Sequence, residues 1–595
     1  MLRSNKNSEY ISGNRLIYIF LLIVVFLVAL LLRIYQLGSD PPGLYADEID
    51  FMLNAYNTLH GGILNSFVIT AFGKFNWGGF VWITADGYTL SILLFKTSAF
   101  AARFPVALYG SLIVFPIFML TRELTNSKFT SLVASSLWAL TPLAVVMSRV
   151  GYGVEIFPLF LYLFYLVFLV KFMRNGGWVN ALFASALLLL ILYLQTTRVW
   201  AGIPSLAVLL YLIIIKGMDR WKTIGWKASG FPLGFGAIIL VIAAIWAFLG
   251  YGPHMLPRIG QSDLFGPVYP STLVTYLPFQ KGLSIFLSEM GYALSPSKLF
   301  WLSEFTSSGF KTSGPGVPFM LVFLAPFFYY SIFILPFRIR RNKQGIYDYY
   351  LLIALLIFGL ITPAFFYIVP PPDFETGEGI FALPPMLILS SIAIQRLVDW
   401  IRKEQYRQGE KWRLQRSISK LKMADNKRTL LAVSMAVVLI GSASINVAVF
   451  SENFYVLYPQ YVENNQTQGM WYGWQEVSSI LVGTGLYKIP IFYTPGVEGG
   501  YNLSNSNNFR YWFSAQGYPL YWLYSFSGGK ITSVGAIYYD NLPNLSIAKE
   551  VVISQNPNYT EILSKANVPY QVIYTILRPD GTFSMQIIIV TPKTG

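Results

Sequence analysis

Long apolar runs alternate with short charged connections along this chain. Eleven runs of roughly 17 to 24 residues lie at 16–34, 104–121, 128–147, 154–173, 178–195, 199–215, 233–250, 316–337, 346–369, 380–397 and 429–450, and each is long enough to cross a ~30 Å hydrocarbon core as a helix. A twelfth run, Gly79 to Phe95, is interrupted by Asp86 and Gly87 and predicts an interfacial helix instead. The first run has no small-residue cleavage site and continues into Arg33 and Tyr35, so it reads as a span and not a signal peptide.

The connections carry the orientation. With Arg3, Lys6 and Arg15 on the cytoplasmic side, the segments 122–127, 174–177, 216–232, 338–345 and 398–428 fall inside, and the last of these holds ten Lys and Arg residues. Counting Gly79 to Phe95 as a span would place every later basic cluster outside. Composition agrees with a membrane protein, since 54% of the 595 residues are hydrophobic and 12% charged, against about 25% charged in soluble domains. The excess of 43 Lys+Arg over 28 Asp+Glu sits between apolar runs and not on one soluble face, which argues against a nucleic-acid partner. The absence of cysteine and the presence of only two histidines exclude disulfides, thiolate metal sites and poly-His centres.

The expected architecture is therefore a polytopic α-helical membrane domain, 1–450, with about eleven transmembrane helices, followed by an extracytoplasmic α/β domain at 451–595. All four N-x-S/T sequons, at Asn465, Asn502, Asn544 and Asn558, lie in that tail. Strands are predicted at Ile489 to Tyr493, Val551 to Ser554, Tyr570 to Ile576 and Met585 to Val590, with a hairpin turn at Asp580 and Gly581. Three outside segments, 35–103, 251–315 and the tail, exceed the length of simple connectors and are where function is expected.

The first outside loop carries the sharpest local signal. After the turn Asp40, Pro41, Pro42, Gly43 come Tyr45, Ala46, the paired acids Asp47 and Glu48, and Asp50. Ile49, Met52, Leu53 and Tyr56 follow at helical spacing, which predicts an amphipathic helix at the interface with its acids in the first turn. Acids there also complement the helix dipole for about 0.3–1 kcal/mol each. Arg103, Arg149 and Arg198 fall at outer ends of spans on the same side as the acids. Singly each would snorkel to headgroups; together they match a phosphate at the membrane surface, which the guanidinium fork binds well.

These residues carry a family resemblance. The first-loop Tyr45, Ala46, Asp47, Glu48, the stretch AARFPVALYG at 101–110, Thr141 and Pro142 with Ser148 and Arg149, and Pro384 with Pro385 resemble the GT-C membrane glycosyltransferases, most of all the protein O-mannosyltransferase and aminoarabinose transferase group. The resemblance covers roughly 16 to 400. It implies an enzyme of the cell membrane that moves a sugar from a polyprenyl- or dolichyl-phosphate carrier to a protein or glycolipid acceptor on the outer face, inverting the anomeric centre. It implies Asp47 as general base on the acceptor hydroxyl, with Glu48 orienting or itself the base, and Arg103, Arg149 and Arg198 as donor-phosphate ligands. No cofactor is required, because arginine can stabilise the leaving phosphate; Asp47, Glu48 and Asp50 are also compatible with a divalent cation such as Mg2+ or Mn2+. In one departure, the stretch DFETGEGIFALP at 373–384 lacks the basic residue that many relatives carry before the proline pair. Two rival readings are an oligosaccharyltransferase, against which Trp471, Tyr472, Gly473, Trp474 form no Trp-Trp-Asp signature, and a non-catalytic transporter or lipid-handling protein, against which no span holds a mid-membrane Asp, Glu or Lys.

Overall fold

The computed structural model describes residues 15–40, 44–45, 82–150, 153–193 apart from 176, 319–339, 348–357, 378–414, 441–449, 473–494, 530–536, 549–577 and 583–591, with isolated positions between, among them Glu48, Phe51, Met52, Ala55 and Tyr455. The expected spans at 199–215 and 233–250 and the hairpin turn at Asp580 and Gly581 lie outside the described residues.

The first helix, α1 (Arg15–Ile34), presents Leu16, Phe20, Ile23, Leu27 and Leu31 outward at helical spacing, a stripe that only hydrocarbon solvates well. Among the described residues three helices are long and apolar enough to cross a membrane: Leu16–Ile34, Ala99–Thr125 and Ile380–Trp400. Shorter apolar helices lie at Ile156–Phe172, Trp178–Leu188, Val322–Phe337 and Asp348–Ile357, inside expected spans.

The interfacial run forms α2 (Trp82–Phe95), which passes through Asp86 and Gly87 without a break. The glycine serves packing: a Cβ there would lie 3.3 Å from the Tyr109 hydroxyl. Tyr88 and Ile92 are buried while Leu90, Leu93, Leu94 and Phe95 face outward. The expected span at 104–121 lies within a longer pair of helices, α3 (Ala99–Leu112) and α4 (Val114–Thr125), joined at Ile113. Ser98 caps α3 by accepting from the Ala101 amide, and Asn126, left-handed at φ 56°, ends α4.

Helix α5 (Lys128–Leu140) begins at an N-cap, Ser127, and ends at Thr141, whose extended ψ of 125° is what a following proline imposes. Pro142 then opens the short α6 (Pro142–Met147), so the expected span at 128–147 turns near its C-terminal end and delivers Ser148 and Arg149 beside α1. Two further helices, α7 (Gly153–Asn175) and α8 (Trp178–Tyr193), form a hairpin through Gly177. At the far end of α7, Arg174 makes a buried 2.7 Å ion pair with Asp348, tying two span ends that the charge pattern places inside. Pro384 and Pro385 occupy the first turn of α9 (Leu383–Leu414), where missing amides cost nothing. That helix continues well past 397, so the basic connection at 398–428 begins as helix.

The tail contains a five-stranded sheet in the order β4-β3-β5-β7-β6. Its strands are β3 (Ile491–Thr494), β4 (Gly535–Ala536), β5 (Glu550–Ser554), β6 (Tyr570–Leu577) and β7 (Phe583–Val590). The first three are parallel neighbours, and β7 runs antiparallel to both β5 and β6. Tyr559 and Leu563 of α11 (Tyr559–Lys565) pack with Val552, Ile588 and Val590 beneath it, while α10 (Trp474–Gly483) buries Trp474 against Tyr493. A two-stranded ribbon joins tail and first loop: β1 (Leu44–Tyr45) pairs antiparallel with β2 (Met470–Trp471).

Candidate active site

The site is built on the C-terminal end of α1. A helix leaves its last carbonyls without intrahelical partners, and here another part of the chain satisfies them. Arg149 Nη1 donates to the carbonyls of Leu32 at 3.1 Å, Arg33 at 3.2 Å and Tyr35 at 2.5 Å, while Nη2 donates to the Asp40 carbonyl at 2.9 Å and to Asp40 Oδ2 at 3.2 Å. The Tyr455 hydroxyl donates to Leu32 O at 2.6 Å, and its ring lies 4.8 Å from the Arg149 guanidinium. Arg149 thus acts as a C-cap supplied by a distant helix, which the Thr141–Pro142 turn brings within reach.

Gly110 and Ser148 make this approach possible. A Cβ at Gly110 would fall 2.0 Å from Ser148 Oγ, a distance no side chain tolerates. The Gly110 carbonyl accepts from Trp138 Nε1 at 2.8 Å, and Ser148 donates to Ala144 O at 2.6 Å. The motif residues at 101–110 and 148–149 therefore meet in one seam.

The paired acids are held from the other side. Arg103 Nε donates to Glu48 Oε1 at 2.9 Å and Nη2 to Oε2 at 3.3 Å, a bidentate pair with both side chains fully buried. Arg103 Nη1 also donates to Leu37 O at 3.2 Å. Glu48, Phe51, Met52 and Ala55 are buried and recur at helical spacing, and Phe51 stacks on Tyr88 of α2 at 5.1 Å. Of the first-loop helix expected from the sequence, the described residues Glu48, Phe51, Met52 and Ala55 face inward, while Ile49, Leu53 and Tyr56 of the expected apolar face lie outside the described residues.

Burial dominates the electrostatics. The Asp40 carboxyl is pushed up to about 6 by burial, which outweighs the opposing pull of Arg149 and Arg103. Arg149 is lowered from the usual arginine range, again by burial first, with Tyr455 and Asp40 partly offsetting it. Burial raises Tyr455 as well.

Of the predicted site residues, Glu48, Arg103 and Arg149 come together around the end of α1, whereas Asp47 and Arg198 lie outside the described residues, as does Asp50. Among the described residues no group of three or more His, Cys, Asp or Glu side chains is placed to hold a metal. Glu48 would have to give up its pair with Arg103 to ligate a cation. Sequence reasoning missed Asp40, Arg33 and Tyr455 as members of this cluster. Arg33 had a readable signal, a charge in the last turn of an apolar span, and Asp40 stood in a recognised turn; Tyr455 had none.

No protein-family model and no curated protein matches the chain. Solved structures do. ArnT from Cupriavidus metallidurans in the apo state is similar at 11% identity and TM-score 0.49, covering 97% of this chain and 98% of that one. The same protein bound to undecaprenyl phosphate gives 12% and 0.48 over 98% and 99%. The archaeal oligosaccharyltransferase AglB from Archaeoglobus fulgidus, in complex with an inhibitory peptide and a dolichol-phosphate, gives 13% and 0.44 over 98% and 74%. Residue roles rest on the side chains of this chain.

Proposed function

We propose that this protein is an integral-membrane glycosyltransferase that moves a sugar from a polyprenyl- or dolichyl-phosphate carrier to an acceptor hydroxyl on the outer face of the membrane. The observation that carries the reading is the buried, bidentate Arg103–Glu48 pair, which fixes the first-loop acid motif against the outer ends of α1 and α3. With both its oxygens accepting from Arg103, Glu48 is a positioning group, and the proton of the acceptor hydroxyl falls to the adjacent Asp47. The acceptor oxygen forms its bond to the anomeric carbon as the carbon–oxygen bond to phosphate breaks. The phosphate leaves with the bonding electron pair from the opposite face, which inverts the centre. Arg103, Arg149 and Arg198 supply positive charge at the developing phosphate, so no metal is required, and Mg2+ or Mn2+ stays an assay variable. On this reading the tail lies outside, a proposal supported by the β1–β2 ribbon, which pairs Leu44 and Tyr45, just ahead of the acid motif, with Trp471 and Met470 of the tail.

The test is incubation of the purified chain with radiolabelled polyprenyl-phosphate sugars and candidate protein and glycolipid acceptors. Native protein is expected to move label. Asp47→Asn is expected to lower turnover by ~10²–10⁴-fold, as for a positioned base, with carrier binding nearly unchanged. A fully active Asp47→Asn would remove Asp47 from the mechanism. Label carried only by a lipid-linked oligosaccharide would favour the oligosaccharyltransferase reading, and carrier movement across vesicles without transfer the non-catalytic one.

A further inference from the structure

Asparagine occurs throughout the chain, but its sequence context differs between the two parts. None of the 13 asparagines before residue 451 is followed two positions later by serine or threonine, whereas four of the 12 after it are, at Asn465, Asn502, Asn544 and Asn558. In all four the intervening residue is not proline, which is the pattern that N-linked glycosylation reads. Asn558 lies among the described residues, and the other three lie outside them.

Asn558 stands in the turn that leads from β5 into α11, and its neighbours show what a structural asparagine does there. Asn556 is buried, and its Oδ1 accepts from the Asn558 amide at 2.9 Å. Asn567 takes a left-handed φ of 52° just past α11, a conformation that asparagine tolerates better than most residues. The Asn558 side chain does neither. It is exposed and makes no capping hydrogen bond to α11, although asparagine ahead of a helix commonly caps it. The next residue, Tyr559, is fully buried and packs with Leu563 against Val552, Ile588 and Val590. The middle residue of the sequon therefore anchors it to the sheet while Asn558 is left to solvent.

We infer that Asn558 is an N-glycosylation site of this protein. Its Nδ2 forms a bond to the anomeric carbon of a saccharide as that carbon's bond to the phosphate of a lipid carrier breaks. The electron pair leaves with the carrier phosphate, and one Nδ2 proton passes to a base on the transferring enzyme. That enzyme is a separate activity of the oligosaccharyltransferase class in the same membrane, and it selects Asn558 through the Thr560 hydroxyl. A saccharide at this exposed position extends into solvent and leaves the packing of Tyr559 intact. The inference rests on the reading that puts the tail outside and is independent of whether this chain itself transfers sugar.

The experiment uses the full chain purified from the membranes of its native cells. Trypsin cuts after Lys549 and Lys565 and releases Glu550–Lys565, a peptide with a single sequon. Mass spectrometry is expected to find this peptide heavier by a saccharide, with fragmentation placing the added mass on Asn558. Thr560→Ser is expected to keep the modification, and Thr560→Val and Asn558→Gln are each expected to abolish it. Recovery of the native peptide only at its unmodified mass overturns the inference. A saccharide that survives Thr560→Val is not directed by the sequon and overturns it too. If Asn558 served the fold alone, the native peptide would be unmodified and Asn558→Gln would lower the unfolding transition. Topology is read separately with Asn558→Cys in this cysteine-free chain. Labelling by an impermeant thiol reagent in intact cells would place the turn outside, so that an unmodified native peptide refutes the glycosylation alone. Labelling only after the membrane is opened would place the tail inside and overturn both the topology and the inference.

Discussion

Breaking the Arg103–Glu48 pair tests whether the acid motif is held by electrostatics in a dry site. Both side chains have no solvent exposure, and the carboxylate accepts at 2.9 Å and 3.3 Å from one guanidinium fork. Removing one partner leaves the other charge buried and uncompensated, at a cost of about 3–5 kcal/mol. Arg103→Met is expected near the top of that range, because it strips both Glu48 oxygens and the contact to Leu37 O at 3.2 Å. Glu48→Gln is expected to cost less, since its amide oxygen still accepts one of the two bonds. Replacing both residues, as Arg103→Met with Glu48→Leu, removes the desolvation penalty with the attraction and is expected to cost less than Arg103→Met alone. The assay is denaturant unfolding of Arg103→Met, Glu48→Leu, their double variant and native protein in one detergent, analysed as a double-mutant cycle, with Glu48→Gln run beside it. A coupling energy of a few kcal/mol is the expected result. Single variants within about 1 kcal/mol of native, adding without coupling, are the behaviour of an exposed pair and would refute the reasoning.

Two further outcomes are expected. Asp40 sits at about 6 in the folded chain against an ordinary 3.8, a gap worth roughly 3 kcal/mol. The folded state therefore holds this proton more tightly, so its contribution is fully present below pH 3.8 and is lost as pH rises through 6. The stability difference between native protein and Asp40→Asn should follow that slope from pH 4 to 7, and a flat difference would count against it. For topology, a cysteine introduced by Gln415→Cys into this cysteine-free chain should resist an impermeant thiol reagent in intact cells; labelling there would place the basic connection outside.

The parts of the fold that were legible in the sequence are those fixed by local pattern. Apolar length predicted α1, α7 and α8, and short runs rich in β-branched and aromatic residues predicted β3, β5, β6 and β7 within one or two residues at most ends. The run broken by Asp86 and Gly87 was expected as a helix too short to span, and it forms the 14-residue α2, with Tyr109 and Pro105 against Gly87. The span expected at 380–397 lies within α9, and helix propensity carries the residues beyond 397 onward. The β1–β2 ribbon was not legible, since two-residue strands more than four hundred positions apart leave no periodic trace.

At the site, residue type was legible and residue task was less so. Asp47, Glu48, Arg103 and Arg149 stand out as charges beside apolar runs, but Arg149 directs both terminal nitrogens at backbone carbonyls and Asp40 of a neighbouring helix end. A motif that pairs a glycine in one helix with Ser-Arg after another then has a mechanical meaning. Gly110 removes the one Cβ that would collide with Ser148, Ser148 seats the turn, and the turn places Arg149 over the last carbonyls of α1. With α1 held there, Leu37 O meets Arg103 and Arg103 meets Glu48. The packing motif and the acid motif are thus successive links in one chain of contacts. Disturbing the seam at Gly110 should accordingly be felt at the acids even though no atom of Gly110 takes part in the chemistry.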